Sequence, residues 1–315
     1  MELPVIDIAA LRGADPAAQR KVAARIGAAC RDVGFFYITG HGVTPALVEG
    51  AFAAAREFFR QPVAEKAKLS IKLSPHNRGY VGMTEERLAA GQPGDLKEAF
   101  NIGLDFAADH PEVLAGKPFR GVNLWPALPG WRAATLQYFN ACWQTGVLLH
   151  RAFALDLDLP ADWFDDKLDA PLATLRLLHY PPAPSNLAPG QSGAGEHTDY
   201  GNVTLLATDG VAGLQVRRRD GTWLDAPSVN GAFVCNIGDC LMRWTNDVYV
   251  STPHRVTPPR AERYSIAFFL DPNPDAEVSV LPSCTAVDRP AKYKPISGAD
   301  YLAERLNATY EHRKP

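Results

Sequence analysis

From about residue 173 onward, the chain consists of short segments rich in β-branched and aromatic residues, separated by Pro, Gly and Asn. Several short strands at regular spacing, with few helical windows, are typical of a sandwich or a barrel rather than of a parallel sheet. The sequence therefore predicts a mainly β fold with flanking helices and a jelly-roll core, that is, a double-stranded β-helix. The predicted strands cover residues 174–180, 203–207, 214–218, 233–237 and 264–270.

The first half of the chain is mostly helical. Asp15-Pro16 and Thr44-Pro45 each place a capping side chain before a proline, which is the preferred order at the start of a helix. An apolar stripe predicts a long helix over residues 131–155, and a shorter helix is predicted near residues 299–306. The aromatic segment 34–38 predicts a strand between the first two helices.

Two histidines and one aspartate form the pattern that points most directly to chemistry. On a strand, residues i and i+2 project to the same face, so His197 and Asp199 are expected to project together. A histidine from a distant strand, His254, would complete two imidazoles and one carboxylate on one side of a metal. Non-haem Fe(II) sites that bind oxygen and a co-substrate have this arrangement. Taken alone, His-x-Asp is common by chance, and a single histidine is more often structural.

The residues around these three make the pattern more specific. They read EHTDYG (196–201), STPHRV (251–256) and RYSI (263–266), and further phrases include LPVID (3–7), GFFYITGHGV (34–43), NRGY (77–80), KEAF (97–100), GLQV (213–216) and IGD (237–239). This ordered set, which extends over nearly the whole chain, resembles the Fe(II)/2-oxoglutarate oxygenases of the isopenicillin N synthase-like family. The resemblance implies that Fe(II) is held by His197, Asp199 and His254.

The resemblance also implies a co-substrate site, in which Arg263 and Ser265, with Tyr180 on an earlier strand, bind the far carboxylate of 2-oxoglutarate. A guanidinium is always charged and offers paired donors that match a carboxylate. Hydroxyl groups can satisfy the remaining acceptors in a desolvated pocket. One position departs from the family pattern: many plant members have Asn two residues before this tyrosine, and here the residue is Leu178.

Three further residues are candidates for contact with the substrate: Arg78, Phe100 and Phe269. Arg78 could equally support a loop, and Phe269 could equally belong to the core. The implied partners are O₂ and a small organic molecule, the implied products are succinate and CO₂, and ascorbate is the expected stimulant. We expect hydroxylation, although desaturation, ring closure and ethylene formation share the same chemistry. The sequence does not identify the prime substrate.

On the same basis the chain divides into four regions. Residues 1–105 resemble the N-terminal helical and strand region of non-haem dioxygenases, and residues 106–172 are connecting helices. Residues 173–275 are the oxygenase jelly-roll core, and residues 276–315 are a C-terminal extension that packs on the core.

Composition excludes several other classes of protein. The net charge is −3, so the chain lacks the basic field that drives nucleic-acid binding. The five cysteines are scattered, without a CxxC pair, and are typical of reduced, mostly buried thiols in a cytoplasmic protein. The N-terminus lacks a signal-peptide pattern, and no apolar run is long enough to span a membrane. We therefore expect no nucleic-acid or membrane partner, and the oligomeric state stays open.

Two alternative interpretations remain at this point. One is an oxidase on the same scaffold that uses no 2-oxoglutarate, as isopenicillin N synthase and aminocyclopropane-carboxylate oxidase do. Because those relatives also carry the Arg-x-Ser pair, that pair cannot decide between the two. The other is a metal-binding jelly roll that senses a ligand without turnover, against which the intact ligands and an open coordination position argue.

Overall fold

A computed structural model of the chain describes residues 2–89 and 91–309. Residues 1 and 90, in the predicted N-terminal region, and residues 310–315, in the predicted C-terminal extension, lie outside the described residues. The strands are β1 (Val5–Asp7), β2 (Phe35–Thr39), β3 (Gly79–Val81), β4 (Glu98–Ile102), β5 (Thr174–Tyr180), β6 (Ala194–His197), β7 (Val203–Thr208), β8 (Leu214–Arg217), β9 (Trp223–Asp225), β10 (Phe233–Ile237), β11 (His254–Val256), β12 (Arg263–Leu270), β13 (Glu277–Val278) and β14 (Ile296–Ser297).

The helices begin where the sequence places its start signals. The side chains of Asp15 and Thr44 accept hydrogen bonds from the backbone amides of Ala17 and Leu47, and so cap the first two helices. The helices are α1 (Pro16–Asp32), α2 (Pro45–Phe59), α3 (Val63–Ala67), α4 (Pro111–Leu114), α5 (Trp131–Asp156), α6 (Asp239–Trp244) and α7 (Gly298–Thr309). Among the described residues, no helix combines the length and the apolar character needed to cross a membrane.

Two facing sheets form the core of the molecule. The larger sheet has the strand order β1-β2-β10-β7-β12-β5-β4-β3, and the smaller has the order β6-β11-β8-β9. Side chains from both sheets line one cavity, so the cavity lies between them. The fold is the predicted jelly roll, mainly β with flanking helices.

The alternation of side chains along the strands decides which residues reach this cavity. In β12, Ile266 and Phe268 pack into the core formed with α1, α2 and α5, whereas Ala267 and Phe269 line the cavity. This two-residue period follows from strand geometry, in which neighbouring side chains point to opposite faces. Helices α1, α2 and α5 therefore cover the outer face of the larger sheet and leave its inner face to the cavity.

All six predicted strands are present, and each bound differs by at most one residue from its prediction. The sequence does not predict the short strands β1, β3, β4, β6, β9, β11, β13 and β14. Strands β1 to β4 join the same sheet as β5, β7, β10 and β12, so this sheet crosses the predicted region boundaries at residues 105 and 173. The five cysteines are all buried and free.

Candidate metal centre and adjoining cavity

The three predicted metal ligands lie together at one edge of the smaller sheet. His197 ends β6, and His254 begins β11, which pairs with β6 so that the two histidines are opposite each other. One ligand atom from each of His197, Asp199 and His254 lies within 4.8 Å of the other two. Strand alternation does not place Asp199, contrary to the prediction, because β6 ends at His197 and the aspartate lies two residues beyond the strand.

Backbone carbonyls fix the orientation of both imidazole rings. His197 Nδ1 lies 2.7 Å from the Gly195 carbonyl oxygen, and His254 Nδ1 lies 3.1 Å from that of Thr252. Donation from Nδ1–H leaves the lone pair on Nε2, and this second contact is typical of metal-binding histidines. Each Nε2 atom faces Asp199 Oδ1, at 3.7 Å from His197 and 3.6 Å from His254.

Two side-chain donors hold the carboxylate of Asp199 in a fixed orientation. Its Oδ2 atom accepts hydrogen bonds from Thr204 Oγ1 at 2.6 Å and from Asn236 Nδ2 at 2.7 Å. These contacts leave Oδ1 directed toward the two histidine Nε2 atoms. The three ligand atoms therefore converge on one point.

The electrostatics of the cluster favour the protonation states that a metal requires. Burial acts to raise the pKa of Asp199, but His254, His197 and the two hydrogen bonds lower it below its ordinary value. Burial, followed by the neighbouring His254, lowers the pKa of His197 to about 3. The donor set is thus a carboxylate with imidazole nitrogen atoms, one side of which is open, and it fits Fe(II).

A cavity of about 160 Å³ adjoins the three ligands, and Arg263 lies at one end of it. This arginine is fully buried. Its Nη1 atom donates to Ser265 Oγ at 3.2 Å and its Nε to the Val211 carbonyl at 3.2 Å, while the guanidinium lies 4.8 Å from the centre of the Tyr180 ring. Its Nη2 atom has no hydrogen-bond partner among the described residues. A buried guanidinium with an unpartnered N–H donor is stabilised by an anionic ligand. The far carboxylate of 2-oxoglutarate has the charge and the acceptor atoms to be that ligand.

The pairing of β5 with β12 gathers these residues. Arg263 is opposite Tyr180, and Ser265 is opposite Leu178. Leu178, at the position where many plant members have Asn, also lines the cavity and contributes an apolar surface beside Ser265.

Of the three candidate substrate residues, the structure brings one to the cavity. Phe269 lines it, toward the end of β12 away from Arg263. Phe100 is fully buried in the helical core instead, with its ring 4.6 Å from that of Phe58 and 5.3 Å from that of Trp131. The prediction for Phe100 is corrected here because β4 turns this side chain toward the helices and the next residue, Asn101, toward the cavity.

Arg78 supports a loop, which was the alternative to contact with the substrate. It is buried and donates to the backbone carbonyls of His76 and Asn77, at 2.9 and 3.4 Å. Arg78 is not among the residues that line the described cavity, although the neighbouring Asn77 is. It therefore supports the loop that contributes Asn77.

Several cavity residues had not been predicted. Arg176 could have been found from the two-residue period that ends at Tyr180, and Asn101 from the same alternation in β4. The other unpredicted cavity residues depend on contacts between distant segments that no local pattern reveals. Asp271 is one of these residues. Its burial, together with the nearby Asp199, raises its pKa to about 7. These unpredicted residues include Glu86, Lys97, Asn101, Arg176, Tyr200, Asp271, Leu302 and Leu306.

A jelly roll with two histidines, one aspartate and an arginine-lined cavity is the arrangement expected for the 2-oxoglutarate-dependent oxygenases. Comparison with known proteins agrees. Residues 3–128 match the family described as non-haem dioxygenase in morphine synthesis N-terminal, and residues 171–272 match the 2OG-Fe(II) oxygenase superfamily. The 2-oxoglutarate-Fe(II) type oxidoreductase hxnY of Emericella nidulans is 37% identical, over 98% of this chain and 90% of its own length.

Solved structures show the same similarity. A full-length protein of Neurospora crassa, solved in complex with alpha-KG, is 33% identical, covers 98% of this chain and 96% of its own, and superposes with a TM-score of 0.88. The complex of the same protein with alpha-KG and thymine gives a TM-score of 0.87, at 33% identity over 98% of this chain and 97% of that one. The chain belongs to the Fe(II)/2-oxoglutarate oxygenases of the isopenicillin N synthase-like family. It is an oxidoreductase whose cofactors are Fe(II) and 2-oxoglutarate.

Proposed function

We propose that His197, Asp199 and His254 hold the iron, and that Arg263 binds the far carboxylate of 2-oxoglutarate with help from Ser265 and Tyr180. The observation that carries this proposal is the presence, in one cavity, of three converging ligand atoms and a buried arginine. The Nη2 atom of that arginine has no partner within the described chain. The oxidised molecule would occupy the opposite end of the cavity, beside Phe269.

When bound, the iron activates O₂ while 2-oxoglutarate is decarboxylated to succinate, and the protein supplies orientation and exclusion of water. Arg263 is fixed by Ser265 and by the Val211 carbonyl, so it can bind a carboxylate without rearranging. Leu178, Leu214 and Val256 line the cavity as apolar surfaces. Because few water molecules compete in such surroundings, the ion pair at Arg263 is stronger than one at the surface.

We further propose that the reaction is hydroxylation of a small molecule. The cavity volume of about 160 Å³ supports a small substrate. The Neurospora protein has been solved with thymine, which is a molecule of suitable size. Cytoplasmic location is part of the same proposal, and the five free cysteines support it.

The test is succinate release from 2-oxoglutarate with Fe(II), ascorbate and O₂, compared between the wild-type protein, Asp199→Ala and Arg217→Ala. Asp199→Ala removes the anionic ligand, so we expect succinate release to be abolished while far-ultraviolet circular dichroism is unchanged. Arg217→Ala is the control, because this half-exposed arginine contacts Glu196 outside the cavity and should retain activity. Turnover by Asp199→Ala at near the wild-type rate would show that the metal assignment is wrong.

A further inference from the structure

One end of the cavity carries a pair of polar side chains from neighbouring strands. Asn101 of β4 is directly opposite Arg176 of β5, and both side chains line the cavity. Residues opposite each other in an antiparallel pair have Cβ atoms about 5 Å apart. The Asn101 amide and the Arg176 guanidinium are therefore neighbours on the inner face of the larger sheet.

The side chain of Asn101 makes no hydrogen bond to any described part of the chain. It is 1% exposed, and its Oδ1 atom is buried without a partner. A buried carbonyl oxygen in this state reduces the stability of the fold. Asn123 shows the contrasting case, since its side chain accepts from the Gly103 amide at 2.8 Å and donates to the Gly103 carbonyl at 3.0 Å. Asn123 stabilises a loop, whereas Asn101 has no such contact.

The cations beside Asn101 are paired with carboxylates. Glu86 accepts from Arg176 at 2.9 Å and from Lys97 at 2.8 Å, and Lys97 also contacts Asp95 at 3.0 Å. These four side chains, which we call the ion cluster, comprise two cations and two anions. Because Arg176 and Lys97 each already contact a carboxylate, this end of the cavity favours an uncharged polar ligand over a second anion.

The ion cluster also holds the Arg176 guanidinium in position. Its Glu86 partner is buried, as are Lys97 and Asp95. A guanidinium carries five N–H donors, so Arg176 can bind Glu86 and still donate to a ligand in the cavity. The sheet thus presents an acceptor at Asn101 and a donor at Arg176, side by side.

On the basis of the proposed function, we propose that Asn101 and Arg176 recognise the prime substrate through one amide edge. The substrate N–H donates to Asn101 Oδ1, and the adjacent substrate C=O accepts from Arg176. An open-chain secondary amide is trans and directs these two groups in opposite directions. A ring amide holds them on one edge, and the flat rings of Phe269 and Tyr200 line the same cavity. The substrate class is therefore a small, uncharged cyclic amide.

The first experiment measures this recognition with matched probes. The enzyme with Fe(II) and 2-oxoglutarate is titrated without oxygen with 2-pyridone and with N-methyl-2-pyridone, and the visible iron–2-oxoglutarate absorption band reports binding. We expect 2-pyridone to bind at least about tenfold more tightly, equivalent to ~1.4 kcal/mol. In Asn101→Ala the difference should fall below about threefold, because the acceptor is absent. Benzoate, which has a similar size but a negative charge, should bind more weakly than 2-pyridone.

Equal affinity of the wild-type protein for the two pyridones, or no response to either, would overturn the proposal. The same holds if benzoate binds more tightly, since the cavity end would then select an anion. Absence of any 2-oxoglutarate-dependent band in the wild-type protein is a different result. It would overturn the proposed function on which this inference rests.

A second experiment needs no ligand. Replacement of Asn101 by leucine removes a buried carbonyl that lacks a partner, so thermal unfolding of the metal-free protein should shift upward by roughly 2 °C. Asn123→Leu, the matched control, should shift it downward because it breaks hydrogen bonds with Gly103. If Asn101→Leu destabilises the protein as much as Asn123→Leu does, Asn101 is a structural residue and the proposal fails.

Discussion

His197 and His254 lie directly opposite each other on the antiparallel strands β6 and β11, with their ring centroids 4.3 Å apart. The two residues come from distant parts of the chain, so their relative position depends on the pairing of these two short strands. The rings are held further by the backbone carbonyls of Gly195 and Thr252. The relative position of the two histidines is thus a property of strand register, whereas Asp199 is positioned by its hydrogen bonds to Thr204 and Asn236. The metal geometry can be tested through the residues that support it.

Asn236 is the first such residue. Asn236→Ala would leave Asp199 Oδ2 with Thr204 as its remaining side-chain donor, so the carboxylate would be less firmly oriented. Loss of an outer contact of this kind typically weakens metal binding by about 10- to 100-fold. The measurement is Fe(II) affinity by competition with a chelator. Asn123→Ala removes a hydrogen-bonded asparagine that does not line the described cavity and should leave Fe(II) affinity unchanged; equal affinities in both variants would contradict the role of Asn236.

Helix α7 gives a second prediction, since Leu302 and Leu306 line the cavity. Arg305 contacts Asp239 at 2.7 Å, and Asp239 accepts from Thr198, which lies between two metal ligands, at 3.0 Å. Arg305→Met should loosen the helix, with a several-fold increase in hydrogen exchange over residues 298–309, because the ion pair is partly exposed and contributes modestly.

The control for α7 is Arg151→Met, which removes an exposed ion pair with Asp165 on another part of the surface. It should leave hydrogen exchange over residues 298–309 unchanged. Unaltered exchange in Arg305→Met as well would mean that the Asp239 contact does not hold the helix.

His150 determines part of the pH dependence of stability. Burial lowers its pKa to about 4 from 6.5, against the opposing effect of the Gly146 carbonyl. Between these values the unfolded chain binds a proton that the folded chain does not. The contribution of His150 to the free energy of unfolding is therefore fully present above pH 6.5. It is lost as the pH falls toward 4, and the loss amounts to up to roughly 3 kcal/mol.

Urea unfolding of the metal-free protein at pH 7, 5.5 and 4.5 measures this effect. In His150→Gln the titrating group is absent, so the free energy of unfolding should fall less steeply with decreasing pH than in the wild-type protein. Parallel pH profiles for the two proteins would assign the acid sensitivity to other groups.

The sequence predicts those elements whose own residues carry a clear pattern, such as a run of apolar residues. β5 and β12 are long and rich in apolar residues, so their existence and bounds could be predicted. β6 reads AGEH and has no apolar run; it is a strand because β11 pairs with it. The iron ligands stand in a recognisable motif, whereas Asn101 reaches the cavity only through the pairing of β4 with β5.

The ion cluster could not be predicted from the sequence either. Lys97 contacts Asp95 nearby, but its other partner, Glu86, and the Arg176 that completes the cluster come from separate segments. No spacing rule connects these residues, because their proximity results from tertiary packing. Phe100 shows how a motif residue can mislead, since it stands in a family phrase but lies in the core.

Binding of 2-oxoglutarate by Arg263 can be measured as the dependence of succinate formation on 2-oxoglutarate concentration. Arg263→Ala would leave a buried carboxylate without its partner, a loss on the order of 2–5 kcal/mol. We predict that the 2-oxoglutarate requirement rises by roughly thirty-fold or more, while Fe(II) affinity is unchanged. Arg263→Lys, Tyr180→Phe and Ser265→Ala should each have smaller effects. An unchanged 2-oxoglutarate requirement in Arg263→Ala would contradict the assignment and would favour a substrate carboxylate at this residue.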